Sequence, residues 1–293
     1  MKLLVLGGSG LIGNALLKNS KNEFDILTTF YKNPISIKNV RSFQYSFPND
    51  LNNLRELLEK EKPDVLVNTM GYSNIDFCEL NKNDTEMLHV EITENICKIC
   101  ENIDTRQIFL SSDYVFDGEK GNYSEDDVPN PVNYYGLSKL KAEQLILKNP
   151  INTVIRTSVI YDWDYRARFF NSVIKNLQNN QEINATTDVY NSVTFLDNLV
   201  ESIFKVITLN QNGIFHVVDS ACVNRFEFAE MIAKIFRLDK NLIKTVSVQD
   251  EPKNIAKRPK NACLNNSKAK KELGLNFNTI EEGVSRVFMK SQL

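Results

Sequence analysis

Tyr135 and Lys139 stand four residues apart in Tyr135-Gly136-Leu137-Ser138-Lys139, 23 residues after the serine pair that ends at Ser112. On a helix that spacing puts both side chains on one face, so an ammonium can sit beside a phenol. A free tyrosine, with a pKa near ~10, is a weak acid-base group at neutral pH. Adjacent positive charge stabilises the phenolate and lowers that value. The chemistry such a set can do is proton transfer to or from a carbonyl or alcohol oxygen, with the Ser112 hydroxyl bonding the same oxygen. Tyr-x-x-x-Lys also arises by chance on many helices, so its weight comes from what precedes it.

What precedes it is Gly7-Gly8-Ser9-Gly10-Leu11-Ile12-Gly13, entered directly from the apolar run Lys2-Leu6. A strand, a glycine turn and a helix in that order fit a pyrophosphate: one glycine makes the turn, one lets backbone approach, one packs helix on strand. Gly7, Ser9, Gly10, Leu11, Ile12 and Gly13 are therefore candidate dinucleotide ligands, with the helix N-terminus facing the phosphates. An NAD site usually carries an acid about 20 residues on, at the end of the second strand. Asp25 opens that strand and lies at the wrong end; the strand runs out in Thr28-Thr29-Phe30-Tyr31-Lys32. Tyr31 and Lys32 suit a 2′-phosphate, so NADP (NADPH) is favoured over NAD.

The elements that must position these groups alternate. Strands are predicted at Lys2-Leu6, Asp25-Phe30, Asp64-Asn68, Gln107-Ser111 and Thr153-Arg156. Helices are predicted at Leu11-Lys18, Leu51-Glu61, Glu86-Asn102 and Tyr134-Leu147. This rhythm specifies an α/β fold, a doubly wound (Rossmann-type) parallel sheet. After about residue 160 it breaks, with helices at Arg166-Gln178, Phe195-Leu209 and Arg225-Phe236 and a strand at Gly213-Val218. The expected division is 1–160 as dinucleotide-binding domain, 191–219 returning to it, and 161–190 with 220–293 as a smaller, irregular C-terminal substrate lobe containing Pro252 and Pro259. The loop Asp113-Pro131 is too long for a simple connection and reads as functional.

Composition excludes other classes. With 42% hydrophobic and 25% charged residues the chain can build a core and is not disordered. A net charge of -2 argues against a general nucleic-acid or membrane-surface binder. Apolar runs are strand-sized, and the four apolar residues before Gly7 make no signal peptide, so a cytoplasmic location is expected. Five cysteines, an odd number, do not suggest a disulfide framework, and a reduced setting fits them better. Cys97-Lys98-Ile99-Cys100 falls inside a helical pattern and reads as buried helix packing. With His89 and His216 the only histidines, no metal site is expected. His216 reads as structural, and Trp163 as a loop aromatic used in packing.

These motifs, with Asp64-Asn68, Tyr72, Asp76, Glu79, Ser111 through Gly118, Tyr123-Asp126, Pro131, Glu143, Ile155-Ser158, Gly213-His216 and Arg258-Leu264, resemble the extended short-chain dehydrogenases/reductases over nearly the whole chain. Within them the chain is most similar to the dTDP-4-dehydrorhamnose reductases. The resemblance implies an NADPH-dependent reductase of a nucleotide-linked 4-keto-6-deoxy sugar. It implies Tyr135 as proton donor, Lys139 as ribose ligand and pKa modifier, and Ser112 as oxyanion partner. It places Asn68, Thr69, Met70 and Gly71 at the cofactor and Tyr114, Val159 and Arg258 at the sugar nucleotide. A homodimer is compatible with it.

Several positions depart from the pattern. Val159 replaces a usual tryptophan, Asp188-Thr194 replaces Asp-Gln-x-Gly-x-Pro-Thr, Thr69-Met70-Gly71 replaces an alanine run, and His89 stands where asparagine is common. Substrate-side positions have thus drifted, which points to a sugar other than rhamnose. Two further readings share the motifs: an NADP-binding regulatory protein like the beta subunit of methionine adenosyltransferase, and a nucleotide-sugar epimerase or dehydratase.

Overall fold

A computed structural model describes residues 1–20, 23–250 and 255–292; Pro252 lies outside the described residues. The chain divides into two compact units. The first takes Met1–Ser112, Asn133–Arg156 and Ile203–Phe215; the second takes Asp113–Val132, Thr157–Ser202 and His216–Leu293. The long loop after Ser112 thus clusters with the second unit, which makes the two comparable in length.

The first unit is a sheet with helices. Its strands are β1 (Lys2–Leu6), β2 (Asp25–Phe30), β3 (Val40–Gln44), β4 (Val65–Asn68), β5 (Arg106–Ser112), β6 (Thr153–Thr157) and the segment Gly213–His216. The seven lie in the order Gly213–His216, β6, β5, β4, β1, β2, β3. The pairs β1–β2, β1–β4, β2–β3 and β4–β5 run parallel. Parallel strands covered by helices on both faces read as continuous apolar runs, which is why Leu3–Leu6 and Val65–Val67 are buried throughout.

The helices are α1 (Leu11–Asn19), α2 (Leu51–Glu61), α3 (Ile75–Leu80), α4 (Lys82–Glu86), α5 (Ile92–Asn102) and α6 (Tyr134–Ile146). Leu54, Leu57 and Leu58 of α2 and Ile92, Ile96 and Ile99 of α5 pack on Leu4, Leu6, Leu27 and Leu66. Each such side chain contributes roughly 1.5–3 kcal/mol on leaving water. Ala142 and Ile146 of α6 meet Phe109 and Val154 in a separate cluster. Cys100 is buried and Cys97 half-buried, and burial raises both thiols, Cys97 to about 11 and Cys100 well above the ordinary thiol range. They are packing residues, as read.

Three expectations need correction. β3 was not foreseen: Val-Arg-Ser-Phe-Gln has two apolar residues, enough for an edge strand but too few to signal one. The single helix expected over Glu86-Asn102 is interrupted by a π turn, Met87–Glu91. Finally, the cysteines are not all reduced, since Cys222 and Cys263 form a disulfide with Cα atoms 5.5 Å apart. The strand Cys222–Asn224 pairs with Tyr190–Ser192, and Tyr190 bridges to Asn261, so two distant segments meet.

The second unit is more regular than expected. Ile183–Thr186 pairs with Ile243–Val246 and Ile160–Tyr161 with Thr194–Phe195. Helices Arg168–Gln178, Arg225–Phe236 and Ile280–Lys290 supply an aromatic core of Phe170, Phe228, Phe236 and Phe288. Tyr161 is buried among these rings and donates to Asp219 at 2.7 Å, while Trp163 stacks on Phe236. His216 is fully buried against the Tyr123 carbonyl at 3.0 Å, a structural histidine as read. Among the described residues no helix is long and apolar enough to cross a membrane.

Candidate active site

Because β1, β2, β4 and β5 are parallel, the segments that follow them leave from one edge of the sheet, the edge where α/β folds place ligands. After β1, Gly7 takes φ +83°, a conformation side chains rarely adopt. Gly8 N–H donates to Thr29 O at 2.8 Å and Gly10 N–H to Gly7 O at 2.9 Å, closing the turn. A Cβ on Gly13 would fall 2.4 Å from Gly7 O, so α1 packs directly on the turn. Gly10 caps α1 without a side chain, leaving no side-chain cap to compete for the first-turn N–H groups. A turn of this shape can hold a phosphate.

Tyr31 and Lys32 follow β2. Tyr31 is exposed, and the Lys32 ammonium lies 4.9 Å from its ring centroid. Asp25 is occupied at the opposite end of the strand by Arg41, at 3.3 Å. After β4, Asn68 accepts from Met70 N–H at 3.0 Å, and the Thr69 hydroxyl donates to Leu6 O at 2.7 Å. The first bond closes a turn within the Asn68–Gly71 segment, and the second ties it to the end of β1.

Ser112 is buried at the end of β5, against which α6 packs. The start of α6 is held firmly. Asn133 caps it by accepting from Gly136 N–H at 2.9 Å, and Tyr134 N–H donates to Glu79 at 2.8 Å. The Tyr134 hydroxyl donates to Glu86 at 2.7 Å, and burial followed by that carboxylate pushes the phenol up to about 12. Of the two adjacent tyrosines, Tyr134 is therefore an anchor and Tyr135 the acid-base candidate.

Lys139 lies one turn along, buried, its ammonium 4.1 Å above the Phe109 ring centroid. Burial pulls its pKa down to about 8, with Glu143 and Cys78 opposing the shift. Glu143 in turn is locked to Arg156 in a buried ion pair at 2.7 Å.

Sequence reasoning gave His89 no role, yet it lies at the centre of this assembly. Its Nε2 accepts from Tyr72 N–H at 2.8 Å, and its Nδ1 is 2.8 Å from the Ser138 hydroxyl. Its ring meets that of Tyr135 edge-on, centroids 6.0 Å apart. Burial, then the charge of Lys139, lowers its pKa to about 3, so the imidazole is neutral. The sequence signals were a polar ring on the inner face of an amphipathic helix and its place where asparagine is common.

Tyr114, Val159 and Arg258 belong to the second unit. Val159 holds φ +35°, strained for a β-branched residue, and lines a small pocket with Asn191, Val193, Val223, Asn224, Arg225 and Phe228. Arg225, which sequence reasoning did not single out, is half-buried. Burial lowers its pKa, Tyr114 and Asp113 oppose the shift, and Arg258 adds to it. Asp113 accepts from Ser158 at 2.6 Å and from Asn191 at 2.9 Å. The first unit thus gathers the glycine turn, Tyr31, Lys32, Asn68–Gly71, Ser112, Tyr135 and Lys139. The second gathers Tyr114, Val159 and Arg258.

Comparison with known proteins gives consistent relatives. The sequence profile described as RmlD substrate binding domain matches residues 1–293. A probable low-salt glycan biosynthesis reductase of Haloferax volcanii is 26% identical, covering 97% of this chain and 96% of the relative. The methionine adenosyltransferase 2 subunit beta of Xenopus tropicalis is 27% identical over 92% of this chain and 82% of its own length. A hypothetical dTDP-4-dehydrorhamnose reductase from Sulfolobus tokodaii superposes with a TM-score of 0.86 at 32% identity, covering 97% and 99% of the two chains. The Bacillus anthracis dTDP-4-dehydrorhamnose reductase solved with NADP superposes at 0.88 with 23% identity, covering 99% of each.

Proposed function

We propose, from the premise that the chain belongs to the RmlD substrate binding domain family, that it is an NADPH-dependent reductase of a nucleotide-linked 4-keto-6-deoxy sugar. The observation that carries this reading is a phosphate cradle and a buried lysine, one turn from Tyr135, on the same sheet edge of one unit. The cradle passes the test of fit, since a Cβ at Gly8 or Gly13 would collide with neighbouring atoms. The Gly7–Gly13 turn would hold the pyrophosphate, Asn68–Gly71 would flank the nicotinamide end, and Lys32 with Tyr31 would meet the 2′-phosphate. NADPH, when bound, supplies a hydride to the substrate ketone.

Tyr135 gives the proton. Its hydroxyl protonates the oxygen that was the ketone, and Lys139 stabilises the phenolate left behind. Ser112 donates a hydrogen bond to the same oxygen as negative charge develops there. Tyr114, Val159 and Arg258 orient the sugar nucleotide, where correct placement of the carbonyl lowers the barrier.

The test is NADPH oxidation by purified protein against a panel of nucleotide-linked 4-keto-6-deoxy sugars, beside Tyr135→Phe. Turnover with at least one sugar is expected, falling about 100-fold or more in Tyr135→Phe with NADPH affinity kept. Equal background rates in both proteins, with NADPH bound, would reject the reductase. The 27% identity to a methionine adenosyltransferase beta subunit favours one alternative, a dinucleotide-binding regulatory partner. Capture of a methionine adenosyltransferase catalytic chain would support it.

A further inference from the structure

We propose that His89 is a positioning residue: one imidazole holds the backbone that follows β4 and the first turns of α6 in a fixed relation, and so sets where the Tyr135 hydroxyl stands relative to the dinucleotide segment Asn68–Gly71. The inference rests on the reductase reading above and deepens it.

The geometry starts from the π turn Met87–Glu91, a wider helical turn that often marks a functional position. It lodges His89 in the interior, almost wholly out of water. A buried imidazole needs partners for both nitrogens, and packing alone would be served by an apolar side chain. Both partners are present and lie far apart in the chain: Tyr72 is 17 residues before His89, and Ser138 is 49 after it. The Tyr72 partner is a backbone N–H, which can only donate, so Nε2 carries no proton and Nδ1 carries it. Nδ1–H therefore donates to the Ser138 hydroxyl, which donates onward to the Tyr135 carbonyl at 2.8 Å. Tyr72 N–H, His89, Ser138 and Tyr135 O form one directed chain of hydrogen bonds.

The approach on the loop side is close. A Cβ on Gly71 would lie 3.0 Å from Nε2, so the cofactor segment rests directly on the ring. On the helix side the ring edge faces Tyr135 itself. The imidazole stays neutral and so adds no second positive charge beside Lys139.

Two variants separate the ends of this link. Asparagine ends where Nδ1 stands, so His89→Asn keeps the Ser138 bond and releases Tyr72. Glutamine reaches the Nε2 position, so His89→Gln keeps the Tyr72 bond and releases Ser138. A lost hydrogen bond of ordinary strength corresponds to about a 3–10-fold change. Expected for His89→Asn is an NADPH Kd raised by about that factor with kcat within about threefold; expected for His89→Gln is the reverse. A parallel loss of affinity, rate and thermal midpoint in both variants would overturn the proposal, as would no change in either.

An arm on the unaltered protein needs no variant to fold. With only two histidines in the chain, nitrogen NMR at pH 7 should show His89 as the neutral Nδ1–H tautomer; an Nε2–H tautomer or an imidazolium would overturn the proposal. If the protein binds NADPH yet reduces no keto sugar, the reductase reading fails, while affinity and tautomer still decide the role of His89.

Discussion

Lys139 is the residue at which burial and catalysis pull against each other. Water exclusion moves its pKa from the ordinary 10.5 to about 8, so it is still an ammonium at pH 7 but only just. In the proposed mechanism reduction needs that charge beside Tyr135, so kcat/KM is expected to fall as pH rises through about 8. In Lys139→Met the rate should drop more than about tenfold and the basic limb should vanish, which a pH–rate profile of both proteins checks. The stability effect has the opposite sign. Between about 8 and 10.5 the unfolded chain binds more protons than the folded one, so folding gains stability as pH rises across that window. Thermal midpoints should therefore climb from pH 7.5 to 10 relative to Lys139→Met. The placement of Tyr135 and Lys139 one turn apart on a helix, and of Ser112 at a strand end, was legible because spacing and order carry information. His89 was not, because a lone histidine on an apolar face is usually inert packing, and only the folded contacts with Tyr72 and Ser138 distinguish this one.

The helix α6 is the element that converts local sequence into a site. Tyr135 sits in its first turn, where helices fray unless capped. Asn133 and Glu79 hold that turn, so Asn133→Ala should cost about 1 kcal/mol in a urea titration and lower kcat more than NADPH affinity. Farther along, Glu143 and Arg156 are both almost fully buried and face each other at 2.7 Å. Removing the carboxylate with Glu143→Ala leaves a guanidinium charge in the interior and should cost about 3–5 kcal/mol. Glu143→Gln, which keeps the packing and part of the hydrogen bonding, should cost less, and a similar loss in both would show that charge, not packing, holds this end of α6.

The strands β1, β2, β4 and β5 were readable since each carries a short run of consecutive apolar residues at its centre or start. β3 was not, because an edge strand exposes one side. The π turn was hidden because Met87–Glu91 holds no helix breaker, and one extra residue in a turn leaves no mark in composition.

At the scale of the whole chain, the two units are each assembled from three separated segments, and sequence order conceals that interleaving. The same interleaving explains the missed disulfide. Cys222 and Cys263 are 41 residues apart, and an odd cysteine count disguises a single pair among three free thiols. Their bridge joins the strand leading into Arg225 to the segment that follows Arg258, so it pins two arginines of the second unit. Closing a loop of this length restricts the unfolded chain by about 4 kcal/mol in the chain-entropy account. Alkylation of the denatured protein should therefore label three cysteines before reduction and five after, read by mass. Dithiothreitol, or the pair Cys222→Ser and Cys263→Ser, should lower the thermal midpoint. Because the bridge lies wholly in the second unit, its loss should raise KM for the sugar nucleotide and leave NADPH affinity within about twofold. Five thiols labelled before reduction would show that the cysteines are reduced in solution, and an equal loss of NADPH binding would show that the bridge supports the first unit as well.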